Sequence, residues 1–341
     1  MVLIGKGAAW ADATAPLTEL VNRGIPYICS PMGRGVIPDD NDMCMNAARS
    51  AALAGADTIL MVGGRFNWIF QFGRPPRFRE DVRIAQFDIV PEEFTSAAKV
   101  EEAVTADCAV ATSALNDALG GRTLRSAGNG WVDELRQAAV KNESLIAEGM
   151  ASDEEPINHY RLVRDVRDVV SRETALTVDG ELIMGVTRAV LPSYNPRLLL
   201  NSGTTGSMGT GLPYAMGAKL ARPDQPAVAV LGDYAFGAAA MEVETAVRCN
   251  IPTVFVVANN GGIAGHSIQD RMFGPEAPPI AAMLPVDYEK MAEMVGGYAK
   301  RITSPGDIKP AIQEAIASDT VAVLNIMTDP KGGRRGSAYL G

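Results

Sequence analysis

The chain is predicted to be an α/β protein of two domains, each built on a mainly parallel sheet flanked by helices. Three observations carry that prediction: short apolar runs rich in Val and Ile, helix-like stretches that alternate with them, and polar or glycine-rich corners where the runs end. Parallel strands covered on both faces read as near-continuous apolar runs rather than as alternating ones. With 341 residues and 47% apolar side chains the chain is long enough to build two cores.

Residues 1–120 read as a Rossmann-like domain. Val2 to Ile4 is a strand, 13–22 a helix, Tyr27 to Cys29 a strand, 47–53 a helix, Thr58 to Val62 a third strand and Ile84 to Ile89 another. Gly5-Lys6-Gly7 invites comparison with a dinucleotide fingerprint, but the third glycine of that pattern would fall on Trp10, which argues against nicotinamide binding. Residues 121–155 run from Gly121 into the acidic Ser152-Asp153-Glu154-Glu155 and read as a linker carrying a surface helix. The second domain, 156–341, opens with helical spacing over 158–170 and a strand from Ala175 to Val178. The Gly-rich 202–211 then precedes a helix of small residues over 213–220.

The most specific signal lies further on. Ala227 to Leu231 and Pro252 to Ala258 are Val-rich strands separated by the helix-like Met241 to Arg248, so they form one strand-helix-strand unit with adjacent parallel strands. The polar corners Gly232-Asp233 and Asn259-Asn260-Gly261-Gly262 then share the carboxyl edge of the sheet, where open α/β sheets bind ligands. Asp233 offers an anionic oxygen and Asn260 a neutral one, while Gly261 and Gly262 let a main-chain carbonyl turn inward. That donor set suits Mg²⁺ held against a diphosphate. A helix expected to start near Gly237 would point amides and the positive end of its dipole at the phosphates. The plainer reading is that Asp233 and Asn260 are turn residues capping neighbouring elements.

Composition narrows the function further. A net charge of −9 excludes a general nucleic-acid binder, because neutralising phosphates takes clustered Lys and Arg. Cys29, Cys44, Cys108 and Cys249 show neither a C-x-x-C pair nor a disulfide framework, which fits a reducing cytoplasm. The start of the chain carries no charged leader, and no run is long enough for a membrane span.

Gly232-Asp233 followed by Asn259-Asn260 resembles the signature of thiamine diphosphate enzymes. More narrowly, Asp233-Tyr234-Ala235-Phe236-Gly237, Met241 to Thr245 and Asn259 to Ile263 are similar to oxalyl-CoA decarboxylase and 2-hydroxyacyl-CoA lyase. Upstream, Ile4 to Ala9, Ser30 to Gly35, Arg65 to Ile69 and Phe72 to Arg77 resemble the central domain of the same group. The resemblance implies thiamine diphosphate and Mg²⁺ as cofactors, with Asp233, Asn260 and the Gly262 carbonyl as metal ligands. It further implies cofactor contacts at Asn158, His159, Ser207, Met208, Gly209, Gly232, Tyr234, Ala235 and Gly265, with Met208 beneath the thiazolium. His159 could equally be a solvated residue at a helix start, and Met208 could fill a core gap. His266 is a candidate acid or base, against the plainer reading of a solvated loop side chain. Arg188, Arg334 and Arg335 are candidates for an acyl-CoA substrate, as is the basic set Arg65, Arg74, Arg77, Arg79 and Arg83, since Arg forks suit phosphates.

The implied activity is cleavage of the carbon–carbon bond of a 2-hydroxyacyl-CoA or oxalyl-CoA by a homo-oligomer, dimer or tetramer. The alternatives are an acetolactate synthase-like carboligase and a non-catalytic thiamine diphosphate-binding subunit. Two residues depart from the pattern: Tyr234 stands where the family has a small residue, and Asp179-Gly180-Glu181-Leu182 replaces a Glu-Gly-Ala-Asn segment. The activating glutamate belongs, in the family, to an amino-terminal pyrimidine-binding domain that these 341 residues do not match. It is therefore expected from a partner in trans or from a longer form of the gene product.

Overall fold

The computed structural model describes residues 1–333 apart from 96, 123, 125–127, 129, 264–268, 275 and 277. It falls into two compact units, the first comprising 1–145 with 192–197 and the second 146–191 with 198–333. The boundary lies inside the helix Trp131–Ala151, in the stretch expected to be a linker with a surface helix. The reason is burial: Leu135 is sealed in a core of the first unit, and Asn142 Nδ2 donates to Ala47 O at 2.7 Å within that unit. From Ile146 the same helix feeds the core of the second unit.

In the first unit, strands β1 (Val2–Ile4), β2 (Tyr27–Cys29), β3 (Thr58–Val62), β4 (Arg83–Asp88) and β5 (Glu102–Thr105) form one parallel sheet in the order β2-β1-β3-β4-β5. The strands read from the sequence are present, with β4 one residue earlier at each end. Strand β5 is exposed along its length, so it lacks the apolar run that betrays a strand. The chain order reverses between β1 and β3, and there two backbones touch. Gly5 N donates to Val62 O at 2.8 Å and Gly7 N to Gly63 O at 2.7 Å. A Cβ on Gly5 would lie 2.1 Å from Gly63 O, so Gly5 and Gly7 serve main-chain packing between β1 and β3.

The second unit holds six parallel strands in the order β10-β11-β9-β8-β6-β7: β6 (Ala175–Asp179), β7 (Leu199–Leu200), β8 (Ala227–Gly232), β9 (Val254–Asn259), β10 (Tyr298–Ile302) and β11 (Ala322–Met327). β8 and β9 are adjacent and parallel with Val230 opposite Val256, as the strand-helix-strand reading requires. Both are buried almost end to end, which is why their sequences do not alternate. One face packs against helices that include His159–Val169 and Glu181–Val190. The other packs through Phe236, Phe255 and Tyr288, whose rings meet edge to face.

Two glycine substitutions separate these roles. Gly5→Ala is expected to lower stability by about 3 kcal/mol in a denaturant titration, because its new methyl meets main chain that cannot swing aside. Gly217→Ala, on the exposed side of the helix Gly211–Ala221 with nothing within 4 Å, is expected to raise it by about 1 kcal/mol.

Candidate functional site

β6 and β8 are neighbours in the second sheet although β7 separates them in the chain, so the strand order reverses between them. Ligands of open α/β sheets sit at such reversals, beyond the carboxyl ends of the strands. An open cleft lies there. Its walls are the three segments that leave β6, β8 and β9.

At the end of β8 the chain enters a helix immediately, over Asp233–Gly237, with Gly232 as its extended cap. The sequence placed that helix start near Gly237. It comes earlier because Asp233 Oδ1 accepts the Tyr234 N–H at 2.7 Å and closes the first turn on the strand end. At the end of β9 the chain turns through Gly261 at φ 80° and Gly262 at φ 144°. A side chain on Gly262 would also strike Ala281 O, which its Cβ would approach to 2.1 Å.

These turns aim three successive amides at one oxygen. Asp233 Oδ2 accepts from the N–H groups of Asn260 at 3.1 Å, Gly261 at 2.7 Å and Gly262 at 3.0 Å. Asp233 is 1% exposed, and burial pushes its carboxyl above the ordinary range despite the four amides that pull it down. Among the described residues no Lys, Arg or His forms an ion pair with it. Oδ1 accepts only one of the four bonds and so keeps lone-pair capacity for a cation. A buried carboxylate without a counter-charge, beside the Asn260 carboxamide and the Gly262 carbonyl, is a hard-oxygen set that fits Mg²⁺. No cluster of three His, Cys, Asp or Glu side chains suited to a metal occurs among the described residues, as expected for a set with a single carboxylate.

His159, Met208, Gly232, Asp233, Tyr234, Ala235, Asn260 and Gly262 all line the cleft. Asn158 sits one residue away as the cap of its helix, where its Oδ1 accepts the Tyr160 N–H at 2.9 Å. Met208 is 39% exposed, a cleft side chain rather than a core filler, with Ser207 and Gly209 beside it in the loop before the helix Gly211–Ala221. Tyr234, 38% exposed, also borders the cleft. Arg188 is absent from the lining; its Nη2 lies 3.4 Å from Met184 Sδ in the last turn of the helix Glu181–Val190. Gly265, His266, Arg334 and Arg335 lie outside the described residues.

The upstream arginines disperse into local contacts: Arg65 with Glu93 at 2.9 Å, Arg77 with Ser50 Oγ at 2.7 Å, Arg79 with Asp81 at 2.7 Å and Arg83 with Thr58 Oγ1 at 3.1 Å.

Two parts of the site escaped the sequence reading. Asp179 to Leu182, read only as a lost polar segment, lead into a ten-residue helix, Glu181–Val190, whose start from Gly180 to Ile183 walls the cleft. Buried Leu182, Ile183, Val186 and Val190 fall at helical spacing and carried that signal. Asp179 Oδ2 accepts the Gly211 N–H at 2.9 Å, and Thr177 Oγ1 donates to Gly211 O at 3.0 Å, so the end of the Met208 loop is tied to β6.

His159 is the second electrostatic feature. It is 3% exposed, its Nε2 has no hydrogen-bond partner among the described residues, and burial drives its pKa down to about 4, with Asp329 pulling partly the other way. The imidazole is therefore neutral, and an orphaned buried nitrogen at a cleft wall suits a ligand oxygen.

This combination is matched by known families. Residues 1–115 match the central domain of thiamine pyrophosphate enzymes, and residues 180–326 match their C-terminal domain, which binds thiamine pyrophosphate (thiamine diphosphate). The chain belongs to the thiamine pyrophosphate enzymes. A 2-hydroxyacyl-CoA lyase of Oryza sativa is 35% identical over 98% of this chain, and an oxalyl-CoA decarboxylase of Escherichia coli is 32% identical over 98%. A probable acetolactate synthase of Mycobacterium bovis is 30% identical over 97%. In each case the match spans 59% of the relative's own length.

The state of His159 has a pH signature. Between about pH 6.5 and 4 the unfolded chain takes up a proton at this imidazole and the folded chain does not, so stability drops as the pH is lowered across that window. The loss from this group reaches about 3 kcal/mol. His159→Gln is expected to lose correspondingly less than wild type in denaturant titrations between pH 7 and 4; parallel losses would show that His159 titrates normally when folded.

Proposed function

We propose that this chain provides the diphosphate and Mg²⁺ anchor of a thiamine diphosphate-dependent lyase that cleaves a carbon–carbon bond of a 2-hydroxyacyl-CoA or oxalyl-CoA. The observation that carries the reading is the buried Asp233 carboxylate, held by four amides and facing a cleft with Asn260 and Gly262 at the β6/β8 reversal. Asp233 Oδ1, the Asn260 carboxamide and the Gly262 carbonyl would hold the cation. His159 and the start of the helix Glu181–Val190 would face phosphate oxygens, and Met208 and Tyr234 would border the organic part of the cofactor.

Thiamine diphosphate, when bound, supplies the electron sink that the bond cleavage requires. This chain's share of the work is orientation and charge: it fixes the phosphate end, neutralises it through the cation and keeps water from the buried carboxylate. The glutamate that protonates the aminopyrimidine is assigned to a pyrimidine-binding domain, from a longer form of the chain or a partner, and the assembly to a homo-oligomer in the cytoplasm. The four cysteines are free thiols, consistent with a reducing compartment. Among the described residues no helix is long and apolar enough to cross a membrane.

The acyl-CoA substrate class rests on the 2-hydroxyacyl-CoA lyase and oxalyl-CoA decarboxylase relatives; the probable acetolactate synthase relative makes pyruvate the competing substrate. Thiamine diphosphate with Mg²⁺ is expected to stabilise the chain by about 2.7 kcal/mol at a hundredfold excess over Kd, read as a rise in Tm. Asp233→Ala is expected to abolish the rise, and an equal rise in the mutant removes Asp233 from the site. With a pyrimidine-binding domain supplied, turnover of 2-hydroxyacyl-CoA or oxalyl-CoA but not of pyruvate supports the lyase. The reverse identifies a carboligase, and cofactor binding without turnover of either identifies a non-catalytic subunit.

A further inference from the structure

Asn259, the first residue of the Asn-Asn pair, is 5% exposed and does not line the cleft. Its Nδ2 donates to Asn325 Oδ1 at 3.1 Å and to Val286 O at 3.1 Å. Asn325, fully buried in the middle of β11 between Leu324 and Ile326, donates its own Nδ2 to Glu289 Oε2 at 2.6 Å. Glu289 occupies the cap position of the helix Lys290–Val295. A carboxamide inside an otherwise apolar strand is tolerated only because its bonds are made, since leaving such a group or its partners unpaired costs about 1–3 kcal/mol. What the carboxamide adds is direction.

That direction converges on the corner. Thr328 N donates to Asn259 O at 2.8 Å, so the carbonyl of Asn259 is held as well as its side chain. The peptide that follows is the first of the three whose amides meet Asp233 Oδ2. The corner is braced from its far side by a neighbouring segment, with Met283 N donating to Gly261 O at 2.8 Å and Ile263 N to Ala281 O at 2.9 Å. Val286 O, the second acceptor for Asn259, closes that same segment. One hydrogen-bonded ladder thus ties β9, β11, the 281–286 segment and the helix cap to the turn that carries Asn260 and Gly262.

We propose that Asn325, with Glu289 as its acceptor, is a positioning residue that presets the 259–262 corner for a divalent cation and a diphosphate. This rests on the reading of that corner as the cofactor anchor. The preset works through Asn259, since neither Asn325 nor Glu289 lines the cleft. Outer partners of this kind are worth about tenfold or more in metal affinity.

The test uses the full chain and three variants, Asn325→Leu, Glu289→Leu and the conservative Glu289→Gln, which can still accept from Asn325. Mg²⁺ binding is titrated calorimetrically at fixed thiamine diphosphate, and hydrogen exchange of the 260–262 amides is followed without either ligand. Asn325→Leu is expected to melt below wild type but fold, bind Mg²⁺ about tenfold more weakly and exchange the corner amides faster. Glu289→Leu is expected to follow it, and Glu289→Gln to stay with wild type. Wild-type exchange and binding in Asn325→Leu would overturn the proposal. If Asn325→Leu does not fold, the contrast between Glu289→Leu and Glu289→Gln decides, and equality of those two overturns it. If wild type itself binds neither Mg²⁺ nor thiamine diphosphate, the anchor reading fails, while the exchange comparison still tests the ladder.

Discussion

The structure of the second unit turns on one buried carboxylate. Asp233 accepts one amide from its own helix start and three from the corner after β9, so a single side chain sets the end of β8 against the end of β9. Burying a charge without a counter-ion is costly unless hydrogen bonds satisfy it, and even with four of them burial keeps the carboxyl above its ordinary range. In the proposed reading a cation at the cleft supplies the counter-charge that this carboxylate lacks among the described residues. Gly261 and Gly262 follow from the same demand, because three consecutive amides can face one oxygen only if the backbone takes positive φ there.

The two sheets show how one topology is put to different use. Each reverses its strand order, between β1 and β3 in one and between β6 and β8 in the other. At the first reversal the glycines bring backbones into contact. At the second, the equivalent space is walled by a helix start, a carboxylate corner and the Met208 loop, and remains open. Asp179 contributes by fixing the end of that loop to β6, which keeps Met208 on the rim.

Much of this was legible in the residues. Val-rich β8 and β9 announce buried parallel strands, and the Asp233 and Asn260 corners follow from where those strands end. The helix start at Asp233 was displaced in the sequence reading because a strand that passes directly into a helix leaves no turn residues to mark the change. The helix Glu181–Val190 was hidden by attention to the polar side chain its first turn lacks, although its apolar spacing was plain. Asn325 carries no local signal: an amide within an apolar run gains meaning only when β11 is placed beside β9 and Asn259 becomes its partner. Arg188, a substrate candidate by resemblance, does not line the cleft, and its Nη2 lies beside Met184 Sδ of the same helix.

The most direct measurement of the central claim replaces Mg²⁺ by Mn²⁺ and locates it by anomalous diffraction in crystals grown with thiamine diphosphate. The account predicts one strong peak within about 2.5 Å of the Asp233 carboxylate, the Asn260 carboxamide oxygen and the Gly262 carbonyl, with the remaining positions filled by phosphate oxygens and water. A peak elsewhere, with Asp233 still bound only by its four amides, would contradict it.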